Sequence, residues 1–450
     1  MGIRGRIVAK FDQPFHPSLV MIDSSNHGRF LLALIDTGGT VPPALGVAAE
    51  LVRRGHQVRV LADPTVAAAA SAAGCAFTPW QEAPHFNSLA EQTALIDAFE
   101  GRNPYRALRA LKHFAGRGMT QRFADEVIAT TQSFPVDAVL ADGVNPGIVI
   151  GGLASGLPTV ALMANIYVRP TIGRPLLGTG WSPARNVLGR ARDRLAPTAA
   201  QWLLARTLSR VNAVVTSFGY PPLNDLFDYL DRCTRVLVMT SPSFDFPPPL
   251  LPDNVRYVGP QVDDPHWATQ RPWKRNGGEP LVLVATSSVY QDQTDLLGRI
   301  AEGLGQLSVR AVITTGRAVE PKDVPAPPNV EVLQAAPHQQ ILTDASVVVT
   351  HAGHGTVLKA LSAEVPLVCI PMGRDQKDNT VRVLRLGAGV RLSARSTPSQ
   401  IAAAVSDVLR NAQYASAARR FADVLRQEAR NAPSAADEAE ALIRPATHVE

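Results

Sequence analysis

Two loops near the end of this 450-residue chain bring together the side chains best suited to chemistry. Residues 346–379 read SVVVTHAGHGTVLKALSAEVPLVCIPMGRDQKDN. An apolar run ends in His351-Ala352-Gly353-His354-Gly355-Thr356, and a helical pattern follows. A second run, 366–370, ends in Pro371-Met372-Gly373-Arg374-Asp375-Gln376 before another helix. Gly353 and Gly355 permit close backbone approach, and the helix opening near Thr356 offers free N–H groups. Together they form an anion site whose natural occupant is phosphate. His351 and Thr356 add side-chain donors. Asp375 beside Gln376, a carboxylate next to an amide, suits the vicinal hydroxyls of a sugar.

A third loop sits near the start, in LLALIDTGGTVPPALG, residues 31–46. An apolar run turns at Asp36-Thr37-Gly38-Gly39-Thr40 into an amphipathic helix. A nicotinamide site would need Gly-x-Gly-x-x-Gly here and an acid after the next strand. Asp63 supplies the acid, but Pro42 and Pro43 stand where the third glycine would pack, which argues against a dinucleotide.

The elements that must position these loops are short apolar runs alternating with helical patterns, as in α/β proteins with parallel sheets. Strands are expected at 30–35, 57–61, 137–141, 158–162 and 211–216. After a Pro-rich connector they resume at 281–286, 309–314, 330–333, 346–350, 366–370 and 389–392. Helices are expected at 44–54 and 119–132. The organisation expected is a poorly ordered extension, 1–28; an α/β domain, 29–240; a linker, 241–280; a second α/β domain, 281–432, whose terminal helix, about 411–430, crosses back; and a frayed tail, 433–450. Residues 163–185 read as a long irregular loop.

Composition fits a globular chain, with 46% hydrophobic and 18% charged residues. The first residues lack the apolar core of a secretory signal. Cys75, Cys233 and Cys369 are scattered in apolar surroundings, which fits neither a disulfide framework nor a metal cluster and suggests the cytoplasm. The net charge of +5 is spread along helices such as 185–210, without a basic run interleaved with aromatics. Nucleic acid is therefore not an expected partner; solvated helix faces, or weak contact with an anionic membrane surface, are. No clustered carboxylates or His/Cys spacing indicates a metal, and Asp263-Asp264 reads as a solvated turn.

Residues 337–379 resemble the donor-site motif of the two-domain (GT-B type) glycosyltransferases, a class that includes UDP-glycosyltransferases and antibiotic-tailoring enzymes. The resemblance implies two Rossmann-like domains facing across a cleft. It also implies a cytoplasmic enzyme of secondary metabolism, of hexosyltransferase type. Sugar would pass, with inversion and without a metal, from a UDP- or dTDP-linked donor to a hydroxyl of an apolar small molecule or lipid. No cofactor is implied, the nucleotide sugar being a co-substrate. By the same resemblance, His351 contacts the diphosphate with Gly353, His354, Gly355 and Thr356 around it. Ser287 and Ser288 lie near the diphosphate, and Asp375 and Gln376 hold the sugar.

The chain departs from the family pattern in three places. Ala335-Ala336-Pro337-His338 lacks the aromatic that stacks on the base. Lys359 replaces a Glu that grips the ribose hydroxyls, which suggests a donor without a 2′-hydroxyl, as in dTDP-sugars; a surface lysine is the plainer reading. Thr40 stands where the family places its catalytic His, whereas Asp142 matches the acid that orients it. Asp142 or Asp36 acting directly, His85 or His113 reaching in, and a donor-binding auxiliary protein with little turnover all stay open. A nucleotide-sugar epimerase is a further alternative. The acceptor pocket is expected between Asn165–Trp181 and the segment around Trp80–Phe99.

Overall fold

The computed structural model describes residues 27–443, apart from 89, 92–116, 249, 265–276, 288–292 and 318. The first half builds a sheet from β1 (Arg29–Ala33), β2 (Gln57–Ala62), β3 (Ala76–Pro79), β4 (Ala138–Asp142), β5 (Thr159–Met163), β6 (Arg235–Val238) and β7 (Val255–Tyr257). The second builds one from β8 (Leu281–Ala285), β9 (Arg310–Thr314), β10 (Val330–Leu333), β11 (Ala345–Thr350), β12 (Leu367–Cys369) and β13 (Gly389–Arg391). Among the described residues every pairing is parallel, in the orders 3-2-1-4-5-6-7 and 10-9-8-11-12-13. These are two doubly wound α/β sheets.

Burial explains why the strands read as unbroken apolar runs. In β1, Phe30 and Leu32 enter the core on one face, and Leu31 and Ala33 the core on the other. Leu281 and Leu283 alternate with Val282 and Val284 in β8 in the same way. A parallel sheet covered by helices on both faces requires this.

The first domain's helices are α1 (Val41–Arg53), α2 (Ala67–Ala72), α3 (Arg117–Ser133), α4 (Pro146–Ala154) and α5 (Val187–Ser217). α1 starts on Val41-Pro42-Pro43, using prolines where a helix has no N–H to lose. The strand expected at 211–216 is instead the end of the 31-residue α5. Val211, Val214 and Val215 are its buried residues there, and their spacing of three and four marks a helical face. The β-branched composition suggested a strand, and the periodicity decides otherwise.

The second domain carries α6 (Thr294–Gly305), α7 (His338–Leu342), α8 (His354–Ser362), α9 (Gln376–Leu386), α10 (Pro398–Arg410) and α11 (Ala412–Asn431). α11 does not cross back: Ala417, Ala418, Phe421 and Leu425 lie in the second domain's core. The return is made by α12 (Ala435–Ala441), in the stretch expected to fray. Ser434 opens it with a reciprocal capping box to Asp437, and Ala435, Ala436 and Ala439 enter the first domain's core. Arg54 binds Asp437 (2.7 Å) and Glu440 (3.1 Å), and Arg235 binds Glu438 (3.0 Å). His56 accepts the Gly28 amide at Nδ1, so its Nε2–H donates to Glu440 at 2.8 Å.

Other segments also differ from expectation. β7 lies within the stretch expected to be linker and closes the edge of the first sheet, where neighbouring prolines are tolerated. Most of the expected N-terminal extension, residues 1–26, lies outside the described residues; Gly28 already pairs with Gln57. Among the described residues no helix is long and apolar enough to cross a membrane.

Removing the Glu440 carboxylate strands the buried His56 N–H and weakens the hold on Arg54. Glu440→Ala should cost about 2 kcal/mol, the scale of a hydrogen bond to a charged group. The shift of the urea unfolding midpoint measures it.

Candidate active site

Both sheets reverse strand order, between β1 and β4 and between β8 and β11. Ligands enter open α/β sheets at the carboxyl ends of such strands. At the first reversal the structure gathers three buried carboxylates: Asp36, Asp63 and Asp142.

Asp36 shapes the turn after β1. It accepts the Gly38 amide at Oδ1 (3.0 Å) and the Thr65 hydroxyl at Oδ2 (2.7 Å). Gly38 takes φ +83°, a conformation that favours glycine. The Thr40 hydroxyl pairs with that of Thr37 at 2.6 Å. Asp142 ends β4 and accepts the amides of Val144 and Ile35. Burial pushes its carboxyl up to about 6, and the charge of Asp63 adds to the shift. Asp63 accepts the Asp36 and Phe86 amides at 2.6 and 2.7 Å, and burial likewise pushes it up to about 6. In the sequence Asp63 appeared only as the acid a dinucleotide site would need; its place after β2 was the available signal.

At the second reversal, Ser287 follows β8 and is buried, while the buried Thr286 hydroxyl finds no partner among the described residues. Ser288 lies outside the described residues. His351 follows β11, and burial pushes its imidazole down to about 4. Its ring packs on Gly353: a Cβ there would stand 2.5 Å from Nε2, so the ring and a side chain at 353 exclude each other. Gly353 caps α8 without any side-chain bond to the first-turn amides, and space beside Gly355 is open. Thr356 lies in that first turn, half-buried. Ala352, between His351 and Gly353, is held at φ +67°, the kind of backbone strain that gathers at ligand sites.

His354 turns the other way. Its Nε2 pairs with the Thr240 hydroxyl at 2.9 Å, and its ring stands edge-on to Phe244. It therefore joins α8 to the loop between β6 and β7 of the first sheet. Gln376 gives its side-chain oxygen to the amides of Met372 and Gly373, at 2.7 and 2.9 Å, which fixes its own loop.

The two reversals meet across the cleft. Arg374, at φ +50°, donates to the Thr37 carbonyl at 3.3 Å. Asp375 Oδ2 accepts from Asn165 (2.9 Å) and from Asn379 (2.7 Å). The Asp378 carboxylate accepts the amides of Gly178 and Gly180 at 2.7 and 3.2 Å. The loop expected to hold sugar thus abuts both the first turn and the irregular 163–185 stretch.

The profile of the family described as UDP-glucoronosyl and UDP-glucosyl transferase matches residues 205–429, half of the 450 residues. The chain belongs to this family. The 4'-demethylrebeccamycin synthase of Lentzea aerocolonigenes is 28% identical over 413 residues, covering 88% of this chain and 95% of the relative. Solved structures share the fold. The glycotransferase of kitacinnamycin superposes with a TM-score of 0.64 at 23% identity, over 92% of this chain and 98% of its own. The glycosyltransferase VinC in complex with dTDP does so with 0.62 at 18%, over 92% and 98%.

The chain is therefore a glycosyltransferase, and its departures from the family pattern can be placed. Lys359 is no free surface lysine: its ammonium meets Asp264 at 2.7 Å, with both side chains largely buried. Asp264 also accepts the Gln339 amide (2.8 Å), so it is not a solvated turn. The half-buried His338, its imidazole pushed down to about 4 by desolvation, pairs with the Thr314 hydroxyl at 2.9 Å. Trp80 is a core residue of this glycosyltransferase rather than a pocket wall; its indole donates to Leu34 and its ring packs on Phe123. His85 sits with Nδ1 2.7 Å from the Ala83 carbonyl. His113 and residues 92–99 lie outside the described residues. Among those described, no group of three or more His, Cys, Asp or Glu is arranged to hold a metal.

Proposed function

We propose that this glycosyltransferase moves a sugar from a nucleotide diphosphate to a hydroxyl of an apolar small molecule or lipid, with inversion, without a metal, and with Asp142 as the base. The observation that carries the reading is the meeting of the reversals: Arg374 on the Thr37 carbonyl and Asn165 on Asp375. A sugar held by Asp375 would lie beside the turn and the Asp142 edge of the first sheet. The likeness to 4'-demethylrebeccamycin synthase supports a small-molecule acceptor.

The acceptor oxygen attacks the anomeric carbon as its proton passes to the Asp142 carboxylate. The bond from that carbon to the diphosphate breaks on the opposite face, and the leaving group takes the electron pair. Charge growing on the diphosphate meets the uncapped amides of α8 and the side chains of His351, Thr356 and Thr286. Ser287, Ser288 and Gly353 would line this end of the site, and Gly355 leaves room for the phosphates. Asp375 would hold sugar hydroxyls, with Gln376 fixing the loop. His354 acts at a distance, by anchoring α8 to Thr240. Asp36 and Thr40 fit turn-forming roles, because their oxygens already serve the turn.

Lys359, committed to Asp264, offers the ribose hydroxyls no acceptor, which favours a dTDP-sugar; the dTDP complex of VinC is in keeping with it. The test incubates the protein with UDP- and dTDP-glucose and hydroxylated aromatic acceptors, with and without EDTA, and assigns the product anomer by NMR. We expect inverted glycoside, faster from dTDP-glucose and unaffected by EDTA. A clear preference for UDP-glucose overturns the donor reading. Isomerised donor, or binding without product, overturns direct transfer to the acceptor.

A further inference from the structure

We infer that the outer face of α5 docks this enzyme onto an anionic lipid bilayer. The proposal concerns a surface outside the cleft and holds whichever donor or base the reaction uses.

α5 buries Asp193, Pro197, Thr207 and Val211 against the first domain. On the opposite side Leu188, Leu195 and Trp202 recur at intervals of seven residues, two helical turns apart. They are 82%, 66% and 78% exposed, and Val187 and Leu203 flank them, also exposed. A soluble helix normally turns such a stripe inward. Among the described residues, most exposed large apolar side chains lie between Ile172 and Leu203, in α5 and the loop that leads into it.

Charge selects the occupant. Residues 169–217 contain eight arginines and one acidic residue, Asp193. Asp193 is buried and held by Arg192, while Arg169 and Arg174 pair with aspartates elsewhere. Arg185, Arg190, Arg194 and Arg206 remain exposed around the stripe. An apolar stripe with a Trp, edged by arginines whose stems can lie along it, is the make-up of a helix resting in a bilayer interface. Anionic headgroups complement the arginines. A second copy of the chain would instead set one basic face against another, since a two-fold contact pairs identical surfaces.

Flotation of the full chain with phosphatidylglycerol/phosphatidylcholine vesicles, against phosphatidylcholine alone, tests this. We expect binding to the anionic vesicles, loss in 0.5 M salt (roughly three times the physiological ionic strength), and little binding to the neutral ones. Leu195→Glu/Trp202→Glu, and separately Arg190→Gln/Arg194→Gln/Arg206→Gln, should each lower the bound-to-free ratio about tenfold or more at an unchanged thermal midpoint. Maleimide should label a Trp202→Cys variant rapidly, because Cys75, Cys233 and Cys369 are buried. The proposal is overturned by absence of binding to anionic vesicles, or by charged variants that float like the parent. A dimer dissolved by Trp202→Glu would give the face to a second copy. Slow labelling at 202 would give it to the chain's own residues 92–116. Either result also overturns the proposal.

Discussion

Asp142→Asn should lower kcat about 10²–10⁴-fold, the usual range for loss of a general base, while the protein stays folded. The substitution keeps the shape of the side chain at the end of β4 and removes only its ability to take a proton. A carboxyl pushed up to about 6 by burial is a stronger base than an ordinary aspartate and is still largely ionised at neutral pH. The kcat/KM profile should therefore fall below about pH 6, where Asp142 becomes protonated. The stability signature has the opposite sign. A carboxyl whose folded pKa lies above its unfolded value, near 3.9, binds more protons folded than unfolded, so stability is lost as pH rises through about 6. Asp142→Asn should accordingly be no less stable at pH 8 than the parent, and by this term more stable. Initial rates at saturating donor, with thermal melts at pH 5 and pH 8, check both halves. Near-normal turnover by the variant would remove Asp142 from the base role and return attention to Asp36 and Asp63.

The second large effect is expected at Asp245, with no chemistry involved. Its fully buried carboxylate meets Arg382 of α9 at 2.7 Å and Arg174 of the first domain at 3.2 Å. It also accepts the Tyr257 hydroxyl (2.8 Å) and the amides of Tyr167 and Phe246 (2.9 and 2.7 Å). Burial alone would raise its pKa, but the two guanidiniums outweigh burial and hold the carboxyl below the ordinary range. Burial also lowers the pKa of Arg382, which nevertheless stays charged. Asp245→Ala would leave two arginines in a dry interface without their anion, a loss on the order of 3–5 kcal/mol. Because the folded pKa is depressed, the stabilisation is present above the unfolded value and lost as pH falls through the folded one. The parent should therefore lose stability in acid more steeply than the variant, which urea unfolding at pH 7 and pH 4 would show.

The strand, turn and helix proposed as the donor side were legible because their signal is local. A strand, a Gly-rich turn and a helix start within a dozen residues define His351, Gly353, Gly355 and Thr356 together. Asp375 was legible for the same reason. What sequence distance concealed was pairing. Nothing near Lys359 announces Asp264, ninety-five residues earlier, and nothing near His354 announces Thr240. Asp63 was visible, but only against a cofactor site that the prolines excluded. The end of α5 was misread because three valines in five residues suit a strand in composition and a helix in spacing. The last helix was missed because a short alanine-rich segment has little periodicity, and its docking rests on charges facing Arg54, His56 and Arg235.

That last helix changes how the chain is assembled. With α12 packed on the first sheet, the second domain is an insertion: the chain leaves the first domain beyond β7 and returns to it after α11. Two covalent crossings, rather than one, join the halves. Synthesis order adds a second constraint. The first domain's core receives Ala435, Ala436 and Ala439 only after the whole of the second has been made, because α12 follows it in the chain.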